Sequence, residues 1–296
     1  MVTGAHGFVA GSVLSQAEGA WEVHAISRSE APTQRPSLRW HLCDPLEPGR
    51  LTRLFLEIQP HAVIHTAAMA DIDVCQAQPK LARAVNANFT GTLATLCADT
   101  GSRLVFCSTD TIFDGEDAPY SEADVPGPVN FYAETKVEAE QLVNRLGAQA
   151  VIARLSLVVG LPVLGAGNSF LPRMIAALKD GRPVSVPAHE VRTPVDVITA
   201  GRALLELAAG SHSGIYHLAG HSRVSRLEMA QAVARRFGFA EDLVVAQGAA
   251  TTPGRAPRPR DVSLDNRKAC TLLNTPMQTL DEGLSLILET ASTTTL

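Results

Sequence analysis

This 296-residue sequence has no excess of basic residues and no long apolar run. Its 25 Lys and Arg are outnumbered by 30 Asp and Glu, and the net charge of −5 argues against a protein that follows nucleic-acid phosphates. No stretch approaches the ~20 apolar residues of a membrane span, and no charged segment precedes an apolar one at the N-terminus. We therefore expect no nucleic-acid partner, no membrane partner and a cytoplasmic location.

Cysteine is scarce as well, and its pattern does not suit a metal or redox centre. There are five cysteines, an odd number, without a C-x-x-C spacing. Asp71, Asp73 and Cys75 are close in sequence but do not have the spacing of metal ligands. The pattern predicts reduced thiols within the core, a reducing compartment and no metal site.

The rest of the composition is that of a soluble globular protein. Hydrophobic residues make up 46% and charged residues 19% of the chain, values that argue against a disordered, fibrous or coiled-coil protein. The length exceeds that of one typical domain of about 100 to 200 residues, which predicts one large domain or two closely packed ones.

Up to about residue 155, short β-branched segments alternate with longer amphipathic segments. The predicted strands are residues 22–27, 38–43, 62–66, 103–108 and 150–155. The predicted helices are residues 8–18, 50–58, 79–100 and 130–146. This alternation is typical of βαβ units, and it predicts an α/β fold with a Rossmann-type, doubly wound parallel sheet.

Beyond residue 156 the alternation breaks up into segments punctuated by Gly and Pro. The predicted elements here are helices 169–180, 195–209 and 226–237, strand 215–218, and a Pro- and Arg-rich segment at 252–260. We interpret residues 1–156 as the first domain, in which only Met1 to Thr3 precede the first turn. Either that first strand is clipped or the natural start lies upstream. Residues 157–290 are predicted to form mainly a smaller C-terminal lobe, with part of the chain returning to the sheet, and residues 291–296 a frayed tail.

Residues 3–10 read TGAHGFVA and lie between the first strand and the first predicted helix. Gly4 and Gly7 allow a tight turn whose N–H groups can face a pyrophosphate, and the small Ala10 permits close packing of helix on sheet. His6 lies within this turn, where its backbone is expected to matter more than its ring. The pattern predicts a dinucleotide-binding site.

The residue after the second predicted strand indicates which dinucleotide is bound. A carboxylate there would bind a ribose 2′-hydroxyl, whereas a cation favours a 2′-phosphate. Arg28 stands between two serines at this point, which favours NADPH, while the nearby Glu30 keeps NADH open. Asp44, after the third strand, is predicted to accept a hydrogen bond from the adenine amino group, with a turn or helix cap as the alternative.

Tyr132 and Lys136 are four residues apart on a predicted helix and therefore share one face. An ammonium group beside a phenol lowers the pKa of the phenol, which suits a proton donor to a carbonyl group undergoing reduction. Ser108 and Thr109 fall at the C-terminal end of a predicted strand, where open α/β sheets place their ligand sites, and a hydroxyl there can bind a substrate oxygen.

The order of glycine turn, strand-end hydroxyl and Tyr-x-x-x-Lys resembles the extended short-chain dehydrogenase/reductase superfamily, and more closely the dTDP-4-dehydrorhamnose reductase family. Further matching motifs in the first half are VIHTAA at 63–68, AVNA at 84–87, CSTDTIFDG at 107–115, YSE at 120–122 and ARL at 153–155. In the second half they are RTP at 192–194, GIYHL at 214–218 and LD at 264–265. Together these motifs span nearly the whole chain.

The resemblance implies a role for each matching position. Thr109 would bind the keto oxygen, Tyr132 would donate the proton, and Lys136 would hold the nicotinamide ribose and tune Tyr132. The cofactor contacts are then Gly4, His6, Gly7, Phe8, Val9, Ala67, Ala68, Asn86 and Ser108, besides Tyr132 and Lys136. Hydride would pass from the nicotinamide to the 4-keto group of a nucleotide-activated 6-deoxyhexose, a step of dTDP-rhamnose biosynthesis.

Outside these motifs the sequence offers fewer signals. Arg192, Arg258 and Arg260 are candidates for binding the pyrophosphate of a sugar-nucleotide substrate. His65 and His217 are expected to be packed and hydrogen-bonded rather than catalytic. Dimers are common in the superfamily, so one expectation is a homodimer through predicted helices 79–100 and 130–146; the other is that their apolar faces belong to the core.

Other functions remain open. A sugar-nucleotide 4,6-dehydratase of the superfamily is expected to carry a second carboxylate after the Asp at the strand end, but Thr111 follows Asp110 here. An epimerase usually retains NAD tightly, whereas Arg28 favours NADPH. A non-catalytic regulatory subunit is a third reading, because the regulatory β subunit of methionine adenosyltransferase resembles this family too. Reduction of an unrelated small ketone also fits the weakly marked second lobe.

Overall fold

The computed structural model describes residues 1–32, 35–47, 49–164, 167, 169–247 and 255–294. Its strands are β1 (Val2–Thr3), β2 (Val23–Ser27), β3 (Leu38–Leu42), β4 (Ala62–His65), β5 (Arg103–Thr109), β6 (Ala150–Leu155), β7 (Val158–Val159), β8 (Val184–Pro187), β9 (Val191–Arg192), β10 (Val195–Asp196), β11 (Gly214–Leu218), β12 (Val224–Ser225) and β13 (Val244–Gln247). Its helices are α1 (Phe8–Ala17), α2 (Arg50–Ile58), α3 (Ile72–Ala77), α4 (Pro79–Arg83), α5 (Phe89–Thr100), α6 (Phe131–Asn144), α7 (Leu171–Lys179), α8 (Val197–Ala209), α9 (Arg226–Arg236), α10 (Arg267–Leu272) and α11 (Leu280–Thr294). Within these ranges, no helix combines the length and apolar character needed to cross a membrane.

Seven of the strands form one parallel sheet in the order β11-β6-β5-β4-β1-β2-β3. The first strand pairs on one side with β2, where Val2 lies opposite Ala25, and on the other with β4, where it lies opposite Ile64. The chain order therefore reverses at β1, and open α/β sheets bind ligands at such a point, beyond the C-terminal ends of the strands. The predicted α/β class with a Rossmann-type sheet is confirmed.

Helices cover both faces of this sheet. On one face, α1 and α8 pack against the strands through Val13, Leu14, Leu204 and Leu207. On the other face, α2, α5 and α6 pack through Leu54, Phe55, Leu93 and Val143. Because both faces are covered, all six residues of β6 are buried, and such strands read as continuous apolar segments in the sequence.

The smaller lobe has an apolar cluster of its own, built by α7, α9 and α11 with Leu171, Met229 and Leu284 among its buried side chains. Within it, β13 pairs in parallel with β8, and β12 pairs antiparallel with β9. The helix α8 joins this lobe to the sheet, because Val197 in its first turn belongs to the lobe's cluster whereas Leu204 belongs to the sheet's. The chain also re-enters the sheet at β11, which pairs with β6 along its length.

Several predicted elements differ from the observed ones. The helix predicted at 79–100 is interrupted by a π-helical segment, Ala84–Asn88, which apolar periodicity does not resolve. The helix predicted from residue 195 begins at residue 197, because Val195–Asp196 forms a short strand. The predicted tail at 291–296 is wrong at its start, since α11 continues to Thr294. Residues 252–254 and 295–296 lie outside the described ranges.

The five cysteines lie within the described ranges and are free, with Cys270 exposed and the other four buried. Burial raises the pKa of Cys97 and of Cys107 to about 12, so these thiols stay protonated at neutral pH. Across the described residues, no group of three or more His, Cys, Asp or Glu is arranged to hold a metal ion.

Candidate active site

The turn between β1 and α1 requires glycine. Gly4 has a φ of +72°, and a Cβ at this position would lie 2.7 Å from the Cα of Ala67. A Cβ on Gly7 would lie 2.9 Å from the carbonyl oxygen of Gly4, which accepts a 2.7 Å hydrogen bond from the Gly7 amide. The turn and the loop after β4 therefore meet backbone to backbone, beside the strand at which the chain order reverses.

The helix α1 begins at this turn without a side-chain cap. The first N–H groups of a helix have no partner inside the helix, and an anion bound at its N-terminus satisfies them. Phe8 and Val9 supply two of these groups. The side chain of Phe8, however, is buried in the apolar cluster of the smaller lobe with Val159 and Val197. The predicted cofactor contact of Phe8 is therefore restricted to its backbone.

The loop after β2, which carries Arg28, is held from two sides. Nε2 of His6 lies 2.8 Å from the carbonyl oxygen of Glu30, and Nε1 of Trp40 donates a 2.9 Å hydrogen bond to the carbonyl oxygen of Ser29. The His6 and Trp40 rings are in edge-to-face contact at 5.1 Å. Arg28 itself is exposed. The His6 ring thus positions the loop, a role that the sequence did not indicate.

Asp44, just beyond β3, is exposed. Its Oδ1 accepts a 2.9 Å hydrogen bond from the Leu46 amide, and its carbonyl oxygen accepts one of 3.0 Å from the Glu47 amide. These bonds make Asp44 the cap of a turn, which is the alternative left open by the sequence. A contact with an adenine amino group would have to use the other carboxylate oxygen.

Asn86 lies in the π-helical segment and is buried. Its Oδ1 accepts a 2.7 Å hydrogen bond from the Met69 amide, and its Nδ2 donates to the Met69 carbonyl oxygen at 3.1 Å and to Thr135 Oγ1 at 3.0 Å. Both N–H groups of the Asn86 amide are thus engaged by the protein, and Asn86 fixes the loop that follows Ala67 and Ala68. Its direct contact with the cofactor stays a prediction.

A buried hydrogen-bond chain passes beneath the glycine turn. Thr3 Oγ1 lies 2.6 Å from Nδ1 of His65, and Nε2 of His65 lies 2.9 Å from Thr90 Oγ1. Because Thr90 donates its proton to the Asn86 carbonyl oxygen at 2.6 Å, it must accept from Nε2, and Nδ1 accepts from Thr3. Burial lowers the pKa of His65 to about 3, so the ring stays neutral, and it is packed and hydrogen-bonded as expected.

Thr109, Tyr132 and Lys136 converge on the C-terminal end of β5. Thr109 is the last residue of that strand, and its side chain adjoins Tyr132. Its Oγ1 donates a 3.3 Å hydrogen bond to Asp110 Oδ1 and lies 3.0 Å from Thr111 Oγ1. Nζ of Lys136 donates a 2.6 Å hydrogen bond to the Cys107 carbonyl oxygen and lies 4.1 Å from the centroid of the Phe106 ring. All three side chains are buried. A hydroxyl, a phenol and an ammonium group therefore meet at one strand end.

The predicted lowering of the Tyr132 pKa is wrong in this structure. Burial raises the pKa of Tyr132, and the neighbouring Asp110 adds to that effect. Lys136 is bound to the Cys107 carbonyl oxygen, so its charge is not directed at the phenol. Burial also lowers the pKa of Lys136 to about 8. Tyr132 is consequently held in its neutral, proton-donating form.

Ser108, which precedes Thr109 on β5, carries a hydroxyl that none of the described residues pairs. Its Oγ is buried and makes no hydrogen bond to any of the described residues. A buried polar group left unpaired costs about 1–3 kcal/mol, so such a group is expected to find its partner in a ligand.

Arg192 and Arg258 are already paired with carboxylates of the protein. Arg192 is buried, with its Nε 3.7 Å from Asp110 Oδ2 and its Nη2 3.9 Å from Glu190 Oε2. Arg258 makes two hydrogen bonds to Asp73, of 2.7 and 2.8 Å, which link the smaller lobe to α3. Arg192 thus lies near two carboxylates of the protein, and its contact with a substrate pyrophosphate stays a prediction.

The sequence analysis missed the start of α3 and did not single out Arg226 at the start of α9, although capping residues indicate both helix starts. Asp71 accepts a 3.0 Å hydrogen bond from the Val74 amide, an N-cap that marks the start of α3. Arg226 follows Ser225, whose capping box with Glu228 starts α9. A cation in the first turn of a helix is opposed by the helix dipole, so its presence there is a sign of another role.

A family model described as the RmlD substrate binding domain matches residues 1–293. The chain belongs to this family. The match extends over the sheet and the smaller lobe together, and it confirms the resemblance to dTDP-4-dehydrorhamnose reductases within the extended short-chain dehydrogenase/reductases.

Relatives of this RmlD-family chain match it over almost its full length. It is 31% identical over 290 residues to the probable low-salt glycan biosynthesis reductase Agl14 of Haloferax volcanii, covering 97% of this chain and 96% of that protein. It is 30% identical over 303 residues to the dTDP-4-dehydrorhamnose reductase of Mycobacterium tuberculosis, covering 100% and 94%. It is 29% identical over 279 residues to the methionine adenosyltransferase 2 subunit beta of Pongo abelii, covering 92% and 81%.

Solved structures show the same fold. A hypothetical dTDP-4-dehydrorhamnose reductase from Sulfolobus tokodaii superposes with a TM-score of 0.83 at 28% identity, covering 95% of this chain and 97% of that one. MoeE5, in complex with UDP-glucose and NAD, superposes with a TM-score of 0.82 at 26% identity, covering 100% and 99%. The RmlD-family chain thus shares its whole architecture with a protein that is described as a hypothetical reductase. It shares the same architecture with MoeE5, which binds a sugar nucleotide.

Proposed function

We propose that the protein is an NAD(P)H-dependent oxidoreductase that reduces a keto group of a nucleotide-activated deoxysugar, in the manner of a dTDP-4-dehydrorhamnose reductase. The observation that carries the proposal is the convergence of Thr109, Tyr132 and Lys136 at the end of β5. A protein that had lost catalysis would have no need to keep a proton donor, an oxygen-binding hydroxyl and a cation at one strand end.

The residues of the cleft suit a nicotinamide dinucleotide. The close approach of Gly4 to Ala67 and the uncapped start of α1 fit a pyrophosphate, and the unpaired hydroxyl of Ser108 fits a polar group of the same ligand. MoeE5 binds NAD, while the exposed Arg28 in this chain supports a preference for the 2′-phosphate of NADPH. When bound, this cofactor supplies the hydride.

The side chains of the chain itself supply the proton and the orientation. Tyr132, held neutral by burial, donates its proton to the carbonyl oxygen as negative charge develops there. Thr109 hydrogen-bonds the same oxygen and fixes its position. Lys136, released from the Cys107 carbonyl, holds the nicotinamide ribose and brings its positive charge towards the phenolate that Tyr132 becomes.

The test follows absorbance at 340 nm while the protein is mixed with NADPH or NADH and with a dTDP-4-keto-6-deoxyhexose generated from dTDP-glucose by a dehydratase. We expect oxidation of the reduced cofactor, faster with NADPH than with NADH. Arg28→Ala should narrow that preference without abolishing turnover. Absence of oxidation with either cofactor, in a preparation that binds NADPH by calorimetry, would contradict the proposed reaction.

One observation favours a second candidate function, that of a dinucleotide-binding regulatory subunit. The chain is 29% identical to the beta subunit of a methionine adenosyltransferase over most of its length. Under this alternative the protein would bind NADPH, oxidise none with any 4-keto sugar nucleotide, and form a stable complex with a methionine adenosyltransferase catalytic subunit on size-exclusion chromatography.

A further inference from the structure

Arg226 is a half-buried cation that forms no ion pair with the residues that the structure describes. It occupies the first position of α9, directly after Ser225. Within the described residues it forms no ion pair, and its buried Nε has no hydrogen-bond partner. The ring of Phe170 stabilises the cation, with its centroid 5.2 Å from the guanidinium carbon. Such a contact offsets only part of the cost of removing a charge from water.

The charges around Arg226 do not balance. Three arginines meet two carboxylates here: Arg192, Arg226 and Arg255 against Asp110 and Glu190. Asp110 lies closest to Arg192, and Glu190 makes a 2.8 Å bond to Arg255 as well as lying 3.9 Å from Arg192. Both carboxylates thus form ion pairs with Arg192 or Arg255. The charge of Arg226 is the one that no carboxylate of this group pairs.

The residues outside the described ranges do not supply the missing charge from a side chain. Residues 248–254, which precede Arg255, read GAATTPG, and residues 33–34, 48, 165–166, 168 and 295–296 contain neither Asp nor Glu. None of these residues therefore carries a carboxylate side chain that could neutralise Arg226. Burial lowers the pKa of Arg226, which reflects the cost of keeping this cation in place.

The position of Arg226 in its helix adds to that cost. The positive end of the dipole of α9 lies at its N-terminus, where a carboxylate is favoured and a cation is not. Glu228, the acidic residue of this first turn, is engaged with the Ser225 amide at 2.7 Å. Arg226 is thus disfavoured by the helix dipole, by partial burial and by the neighbouring arginines. We expect a bound anion to compensate for these three unfavourable contributions.

The location identifies the site to which Arg226 belongs. The Arg226 amide donates a 2.8 Å hydrogen bond to the Glu190 carbonyl oxygen, which fixes the start of α9 beside β9. Arg192 of β9 reaches Asp110, the residue that follows Thr109. Arg226 therefore lies on the side of the cleft where the smaller lobe faces the end of β5.

We infer that Arg226 binds an oxyanion of the substrate, a phosphate or a carboxylate, and that Arg192 is instead a positioning residue that holds Asp110 behind Thr109. The inference rests on the proposed function in that the substrate enters beside Thr109. An oxyanion bound to the Nε and Nη atoms of Arg226 restores the charge balance and gives the orphaned Nε its acceptor.

The first experiment measures thermal unfolding of the ligand-free protein. Replacing an unpaired, half-buried cation by an apolar side chain of similar length is expected to be neutral or stabilising, so Arg226→Met should unfold at the wild-type temperature or above. Arg192→Met should unfold at a lower temperature, because it leaves Asp110 buried without its cation. Arg202→Met, which removes an exposed arginine of α8, is the charge-matched control. A lower unfolding temperature for Arg226→Met than for that control would show a structural role and overturn the inference.

The second experiment measures binding by calorimetry with dTDP and UDP as diphosphate probes, and with UDP-glucuronate against UDP-glucose as a carboxylate probe. We expect Arg226→Met to weaken dTDP or UDP binding about 10- to 100-fold, the loss typical of one charge-assisted contact, with partial recovery in Arg226→Lys. If the oxyanion is instead a sugar carboxylate, only the UDP-glucuronate affinity falls. Unchanged affinity for all four probes would overturn the inference.

The outcomes separate this inference from the proposed function. Binding of dTDP that depends on Arg226, without NADPH oxidation by any keto sugar nucleotide, would keep the oxyanion site and reject the reductase. NADPH oxidation by a keto sugar at equal kcat/KM in wild type and Arg226→Met would keep the reductase and reject the site. NADPH affinity should be the same in Arg226→Met, Arg202→Met and wild type.

Discussion

Two buried arginine clusters differ in how completely they are paired. Arg154 binds both carboxylate oxygens of Glu140, at 3.1 and 2.9 Å, and neither side chain is more than 5% exposed. Arg192 is 5% exposed, yet it lies 3.7 Å from Asp110 and 3.9 Å from Glu190. We call Arg154 and Glu140 the closed pair, because one cation binds one carboxylate. We call Arg192, Arg226 and Arg255 with Asp110 and Glu190 the loose cluster, because three cations face two carboxylates.

The difference separates a structural role from a ligand-binding one. The closed pair joins α6 to β6, and its two hydrogen bonds hold these two core elements together. The loose cluster adjoins Thr109 and contains Arg226, whose Nε has no partner among the described residues. Substitutions of Arg226 in the loose cluster and of Tyr132 at its edge should therefore change turnover more than stability, and substitutions in the closed pair should do the reverse.

The largest expected effect is on turnover, at the edge of the loose cluster. Tyr132→Phe removes the proposed proton donor but keeps the ring, so kcat for NADPH oxidation should fall by about 10²- to 10⁴-fold. NADPH affinity, measured by calorimetry, should stay within a few-fold of wild type. Tyr216→Phe is the matched control, because Tyr216 lies on β11 near His212, and it should leave kcat unchanged. Retained turnover in Tyr132→Phe would remove this residue from the mechanism.

Much of the sheet was accessible to sequence analysis because parallel strands that are buried on both faces carry a local signal. The strand at 150–155 and the helix at 50–58 were predicted with the observed bounds, since β-branched runs and helical periodicity agree with burial there. The short strands of the smaller lobe, such as β9 and β12, were not predicted. Each has only two residues and exists through pairing with a distant segment, so no local period marks it.

The closed pair should show the largest effect on stability. Arg154→Met leaves Glu140 buried without its cation, so the free energy of unfolding should fall by about 3–5 kcal/mol in chemical denaturation. Arg235→Met, which breaks an exposed pair with Glu241, is the control and should cost no more than about 1 kcal/mol. The double change Arg154→Met with Glu140→Leu should recover most of the loss. A loss no larger than that of Arg235→Met would mean that the closed pair is not structural.

A cluster centred on the Tyr120 hydroxyl tests whether a closed network needs a cation to be structural. The Tyr120 hydroxyl accepts hydrogen bonds from the Gly115, Glu116 and Asp117 amides at 2.9–3.1 Å and donates to Asp114 Oδ1 at 2.5 Å. Tyr120→Phe leaves the buried Gly115 amide without its acceptor, so the free energy of unfolding should fall by about 1–3 kcal/mol. The same measurement on Tyr216→Phe should show a smaller loss, because the Tyr216 hydroxyl makes a single 3.4 Å contact with His212. Equal losses would show that the Tyr120 network adds nothing.

The residue types of the candidate site could be predicted, but the state of each charge could not. Tyr132 and Lys136 are one helical turn apart, so their shared face follows from the sequence. The raised pKa of Tyr132 depends on burial beneath elements that are distant in sequence. Likewise, the sequence identifies Arg192 and Arg226 as cations but does not show which of them is paired. Only the fold shows that Asp110 and Glu190 reach the first and that neither forms an ion pair with the second.

Lys136 is a buried cation that is bound to a neutral group and not to a carboxylate, so it is intermediate between the closed pair and Arg226. Unlike Arg154, it is bound to a carbonyl oxygen, and burial lowers its pKa to about 8. Lys136 is charged below that pH and loses its proton as the pH rises through it. If the ammonium group holds the nicotinamide ribose, kcat/KM should fall about tenfold per pH unit above pH 8. The residual activity of Tyr132→Phe should show the same decline, because the decline belongs to Lys136. A flat profile up to pH 9.5 would mean that cofactor binding restores an ordinary lysine pKa, or that Lys136 is not needed in its charged form.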